Sequence, residues 1–261
     1  MQFPAIDPVF LRLGPLQFRW YGLMYVIGFI ASYFIIKNEA RRRGLRLDNE
    51  AVADLIFCLA IGVVVGGRLG YVLFYDLATY LAQPFKIIAI WQGGMSFHGG
   101  LLGVAVAGLW YARRYELPFL HLADLTTLAT PVGLGLGRIG NFINGELFGR
   151  PTTMPWGMVF PDGGPLPRHP SQLYEAFLEG LVLFFVVRLL AQRFQAPGTA
   201  MAAFLSGYGL FRFIVEFFRQ PDNQLGLFWG GVSMGQLLSL PLFLTGAVLL
   251  VWLNRKKPAV A

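Results

Sequence analysis

Charge is what this chain has least of. Only 13% of its 261 residues are Asp, Glu, Lys or Arg, where a soluble domain carries about 25%. Carboxylates are scarcest, 14 against 21 basic residues. That excess does not mark a nucleic-acid partner, because the basic residues fall in short clusters between apolar runs, the positive-inside pattern of a membrane protein. A single cysteine, Cys58, excludes an internal disulfide and any CxxC chemistry. It sits in the uncharged run Leu55–Gly67 and reads as packing. GxSxG, HExxH and P-loop patterns are missing, and a lone histidine gives no metal-ligand spacing, so no metal and no cofactor are expected. There is also no soluble linker, low-complexity tract or internal repeat, which leaves one domain, 1–261.

What is there is apolar: 56% of residues are hydrophobic, and the mean hydropathy is +0.57. The expected fold is an all-α integral membrane protein of seven transmembrane helices. Residues 1–19 hold three prolines and no basic start, unlike a cleavable signal peptide, and read as an interfacial arm. Span one is Trp20–Ile36, near the minimum for crossing a bilayer. Lys37, Arg41, Arg42, Arg43 and Arg46 follow it and mark the cytoplasmic side, which places the N-terminus outside. Span two is about Val52–Tyr75, and Gly62, Gly66 and Gly70 form a small-residue ladder along it. Residues 76–92 read as a second arm, with Phe85–Trp91 too short to span. Spans three to seven are expected at about Gly94–Tyr111, Leu122–Gly140, Ser171–Leu190, Gly198–Phe218 and within Leu225–Leu253. Residues 145–170 carry six prolines and five glycines and form a small external head. Gln220–Gln224 reads as an external turn, and Arg255, Lys256 and Lys257 place the C-terminus inside.

The polar groups left at membrane depth are the candidate site, since a charge there costs about 2.5–3.5 kcal/mol on insertion scales. In Gly137–Gly149, Arg138, Asn141, Asn144 and Glu146 stand among glycines. Tyr208, Arg212, Glu216 and Arg219 share one face of span six. Arg68, His98, Tyr21 and Glu175 complete the set, all toward the outer side. Two or three guanidiniums in one cavity suit a phosphodiester. Glu146 and Glu216 are expected to orient the arginines. His98, the one side chain here that ordinarily titrates near neutrality, is the natural general base. Bland readings stand beside these. Arg138 and Glu146 can be a structural ion pair, and the stripe from Tyr208 can be interhelical glue. Arg68 can snorkel to the interface, His98 can cap a glycine turn, and Glu175 and Glu179 can be solvated at headgroup level.

Gly137–Gly149 resembles the signature of the bacterial prolipoprotein diacylglyceryl transferases. The likeness runs through Trp20–Tyr25, Gly66–Tyr75, Gly94–Gly100, Arg168–Glu175 and Tyr208–Pro221. The resemblance implies transfer of the diacylglyceryl group of phosphatidylglycerol to the lipobox cysteine of a preprolipoprotein, giving a thioether and glycerol phosphate. It implies a multi-pass protein of the bacterial inner membrane, in contact with bilayer lipid, with its active site toward the periplasm. The motif-matched positions are Tyr21, His98, Arg138, Asn141, Glu146, Gly149, Glu175, Tyr208, Arg212 and Glu216. The competing expectations are a transporter or channel for an anionic solute and a lipid-binding scaffold without chemistry.

Overall fold

The computed structural model describes residues 1–220 and 231–255. Residues 221–224 of the expected turn, Leu225–Gly230 at the start of span seven, and Lys256 and Lys257 lie outside them. Among the described residues the fold is mostly helical, with one β-hairpin. The strands are β1 (Val9–Leu13) and β2 (Leu16–Arg19), and the helices are α1 (Trp20–Arg42), α2 (Asn49–Phe74), α3 (Leu77–Ala82), α4 (Phe97–Arg114), α5 (Phe119–Ile143), α6 (Ser171–Glu175), α7 (Leu183–Arg193), α8 (Thr199–Val215) and α9 (Met234–Arg255). A π-helical segment, Ala176–Val182, joins α6 to α7. α1, α2, α5 and α9 are long and apolar enough to cross a membrane, and α8 is a shorter apolar helix.

The chain divides into two compact units. Unit one holds residues 1–36 and the chain from Asp124 onward. Its N-terminal arm is not helical. β1 and β2 pair antiparallel across a two-residue loop, where Gly14 takes φ +59, a conformation that favours glycine. The hairpin exposes Phe10, Leu11, Leu13, Leu16 and Phe18. The core is built from Leu128 of α5, Leu183, Val187 and Ala191 of α7, and Ala200 and Ala203 of α8, with Ile35 and Leu250 packed against it. Glycines set the closest approaches. A Cβ on Gly180 would lie 2.7 Å from the Cα of Gly135, so α5 and the π segment meet backbone to backbone. α8 starts where the Asp124 carboxylate accepts from the backbone N–H of Gly198 (2.9 Å) and Met201 (3.0 Å). This buried acid therefore supplies the acceptor that two otherwise orphaned N–H groups need.

The head in unit one has no long strands. It is tied by single bridges: Gly149 to Arg219, Pro151 and Met158 to Arg168, and Gln2 to Val159. Phe3 packs its ring 5.1 Å from Phe160 and 5.3 Å from Phe142, so the start of the chain lines the head.

Unit two, Lys37–Ala123, is organised around the pair α2 and α4. The glycine ladder does what its spacing predicts. A Cβ on Gly62 would meet the Gly103 carbonyl oxygen at 2.7 Å, and one on Gly70 the Gly99 Cα at 2.7 Å. Tyr111 donates to the Ala51 carbonyl at 2.7 Å near the other end of the pair. Between the two helices the arm is α3 followed by 3-10 turns at Pro84–Ile88 and Ile90–Gln92. One side chain holds this irregular backbone. Arg68, 3% exposed, donates from Nε to Ile87 O (2.8 Å), from Nη1 to Gly93 O and Gly94 O, and from Nη2 to Lys86 O (2.5 Å) and Ala89 O (3.2 Å).

Candidate anion site

Unit one gathers three arginines around one carboxylate. Arg138 comes from the last turns of α5, Arg212 from α8, and Arg219 from just beyond it. Glu175, at the end of α6, is wholly buried. Arg138 Nε stands 2.7 Å from its Oε2, Arg212 Nη1 3.3 Å from Oε2, and Arg219 Nη1 3.3 Å from Oε1. The guanidiniums are 21%, 15% and 13% exposed, so the anion is sealed and the cations keep an open edge. A second carboxylate, Glu216, lies 2.8 Å from Arg212 Nη2. Its seat depends on Gly235 at the start of α9, where a Cβ would come 2.6 Å from Glu216 Oε2. Tyr208 stacks on Phe204 one turn from Arg212. Tyr21 sits against α5 two residues beyond Arg138. A Cβ on Gly140 would lie 2.7 Å from its ring, and its hydroxyl is 3.1 Å from that of Tyr25.

The loop after α5 is shaped for a different purpose. Asn141 and Asn144 both donate to Glu146 Oε1, at 2.9 and 3.1 Å. Gly145 and Leu147 take φ +70 and +56, a strained choice for leucine. The strain is held from outside, because Gln172 Nε2 donates to the Glu146 carbonyl at 2.5 Å and Ser171 Oγ to the Leu147 carbonyl at 3.2 Å. The Arg168–Glu175 motif thus fixes the Gly137–Gly149 motif through its carbonyls. Gly149 is enclosed by His169 and Phe218. Its N–H donates to His169 O at 2.8 Å, and a Cβ would lie 2.8 Å from the His169 Cβ. Desolvation of the His169 ring holds its pKa below the ordinary value.

Several expectations change here. Glu146 was expected to orient arginines; its carboxylate is instead held by two amides, and Arg138 pairs with Glu175. Arg68 was expected as a further phosphate ligand. Its five N–H groups are committed to the backbone carbonyls of Lys86, Ile87, Ala89, Gly93 and Gly94, which leaves none for a ligand. Glu179, read as a solvated residue, is fully buried, and Arg219 belongs to the cluster as much as Arg212 does. His98 and Arg68 lie in unit two. His98 is exposed in the first turn of α4, beside Gly99, whose N–H is capped by Ser96 Oγ at 3.2 Å.

Apolar helices of membrane-spanning length that gather half-buried guanidiniums at their ends define a multi-pass membrane protein with an ionic cluster, the feature that marks functional sites in this class. Comparison with known proteins places it more narrowly. The family model described as prolipoprotein diacylglyceryl transferase matches residues 8–252, and the chain belongs to that family. It is 62% identical over 257 residues to the phosphatidylglycerol–prolipoprotein diacylglyceryl transferase of Geobacter sulfurreducens, covering 98% of this chain and 99% of that one. It is 51% identical to the protein of the same name from Photobacterium profundum, over 100% of this chain and 98% of that one. The Vibrio cholerae protein of that name is 53% identical over 97% of this chain and 93% of its own.

Proposed function

We propose that the chain transfers the diacylglyceryl group of phosphatidylglycerol to the lipobox cysteine thiol of a preprolipoprotein. The sulfur–carbon bond forms as the bond between the glycerol carbon and the phosphate oxygen breaks. The thiol proton passes to a base, and glycerol phosphate leaves with the electron pair. A thiol is a poor nucleophile until deprotonated, so His98 is assigned as the base. The leaving group gains negative charge at the phosphate, so cations must be in place to meet it. Arg138 and Arg212 are assigned to that charge. Arg138 stands 2.7 Å from Glu175 through Nε and is 21% exposed, and its open edge is assigned to a phosphate oxygen. Glu175 and Glu216 hold the guanidiniums. Asn141, Glu146, Gly149, Tyr208 and Tyr21 shape the surrounding pocket. The protein sits in the bacterial inner membrane with seven spans, N-terminus outside, C-terminus inside, and residues 1–19 and 76–92 lying in the interface. The small head and the site face the periplasm.

The observation that carries this reading is the convergence of Arg138, Arg212 and Arg219 on one buried carboxylate, in a chain similar throughout its length to enzymes named for this reaction. The test is incubation of purified protein with labelled phosphatidylglycerol and a lipobox peptide. A thioether product is expected. Arg138→Ala and Arg212→Ala should each lower its rate by about 100-fold or more, roughly the effect of losing one donor to a developing anion, while still inserting. Full activity in both variants overturns the phosphate assignment.

A further inference from the structure

Glu179 has no role in the proposed reaction, yet it lies beside the cluster, 3.9 Å from Arg212. It sits on the π-helical segment, one turn after Glu175, in a rare geometry that is frequent at functional sites. It is wholly buried. Neither carboxylate oxygen has a hydrogen-bond partner among the described residues. The nearest cation, Arg212 Nη1, stops at 3.9 Å from Oε1. That guanidinium is already engaged by Glu175 and Glu216. Glu175 adds like charge from the same segment. Arg212 and Arg219 face it from α8 and its extension, Arg138 from α5, and Tyr208 from α8. A carboxylate taken out of water without a donor is far costlier than the neutral acid.

The charge count points the same way. With Glu179 ionised, three guanidiniums meet three carboxylates, and a phosphodiester would enter a site with no net charge to offer. With Glu179 neutral, three guanidiniums meet two carboxylates and one positive charge remains, matched to one phosphodiester.

We propose that Glu179 is carried as the neutral acid, that this gives the cluster its one net positive charge, and that loss of this proton closes the site to anionic lipid. The proposal rests on the phosphate reading of the cluster. It makes lipid binding proton-linked through a residue that never touches the lipid, so Glu179 is a positioning residue.

The test is phosphatidylglycerol binding to the full-length protein in a neutral detergent, without peptide, from about pH 6 to about pH 9. Above the point where Glu179 ionises, wild-type affinity should fall by about tenfold per pH unit, the slope for one linked proton. Glu179→Gln should bind with no such slope. Equal slopes in both, or a flat wild-type profile, overturn the proposal. Should the variant fold poorly, the wild type alone decides. Adding lipid in weak buffer at the alkaline end should draw up to one proton per protein, and no uptake at any pH overturns it. Binding that responds to pH this way while the thioether assay stays blank sinks the transferase reading and leaves the Glu179 linkage standing. Transfer with pH-insensitive binding does the reverse.

Discussion

A single carboxylate, Glu175, fixes the position of three cations. Its fully buried oxygens face Arg138, Arg212 and Arg219. Removing one partner of a buried ion pair costs about 3–5 kcal/mol, because the charges left behind are unpaired. Glu175→Gln should therefore lower thermal stability in detergent as well as activity, whereas Arg138→Ala, which leaves Glu175 two cations, should cost activity far more than stability. Melting curves of the two variants beside the transfer assay check the contrast. At this scale the sequence was partly legible. Arg138, Arg212 and Glu216 could be found because a charge amid apolar residues stands out. Glu216 pairs with Arg212 as their shared helix face suggests, but the partner of Arg138 could not be read, since Glu146 lies closer to Arg138 in the chain than Glu175 does. Glu179 was missed because its place inside the unit comes from Gly180 packing on Gly135, a contact between segments that no local pattern announces.

Among the elements, boundaries were the most readable feature. The expected boundaries lie close to those of α2, α4, α5 and α8, whereas α1 runs on past Ile36 to Arg42; of these, α1, α2 and α5 are long and apolar enough to cross a membrane. The irregular pieces were harder. The N-terminal arm was read from its apolar residues alone, and its hairpin depends on Gly14 and the pairing of Leu13 with Leu16. The second arm was placed by its length, but its need for donors was not foreseen, and Arg68 is the answer to that need. Arg68→Lys keeps the charge and loses the fork, so it should release the arm. Protease sensitivity or amide exchange at residues 84–94 should rise while the α2–α4 pair persists. The glycines give a paired test. Gly103→Leu meets backbone and should separate α2 from α4, giving a large drop in melting temperature. Gly137→Ala has open space around its new Cβ and should be neutral or stabilising, by up to about 1 kcal/mol.

Across the whole molecule the head responds to acid. Burial holds the His169 pKa below its ordinary value of 6.5. Such a group contributes stability that is present above that value and is lost as pH falls through the depressed one. Unfolding temperature should therefore drop on acidification below about pH 6.5. His169→Gln should flatten that part of the profile. The head also has a consequence for biosynthesis. Gly149 donates to His169, and Arg150 N–H to the Phe218 carbonyl at 2.9 Å. Contacts of such long sequence separation form late. A ribosome that has released residue 170 has made every residue of the head, but Gly149 and Arg150 still lack Phe218 and Arg219. Until α8 and the residues just after it have been made, a nascent chain holds an open rim at Gly149 and Arg150 and lacks two of the three guanidiniums that meet Glu175.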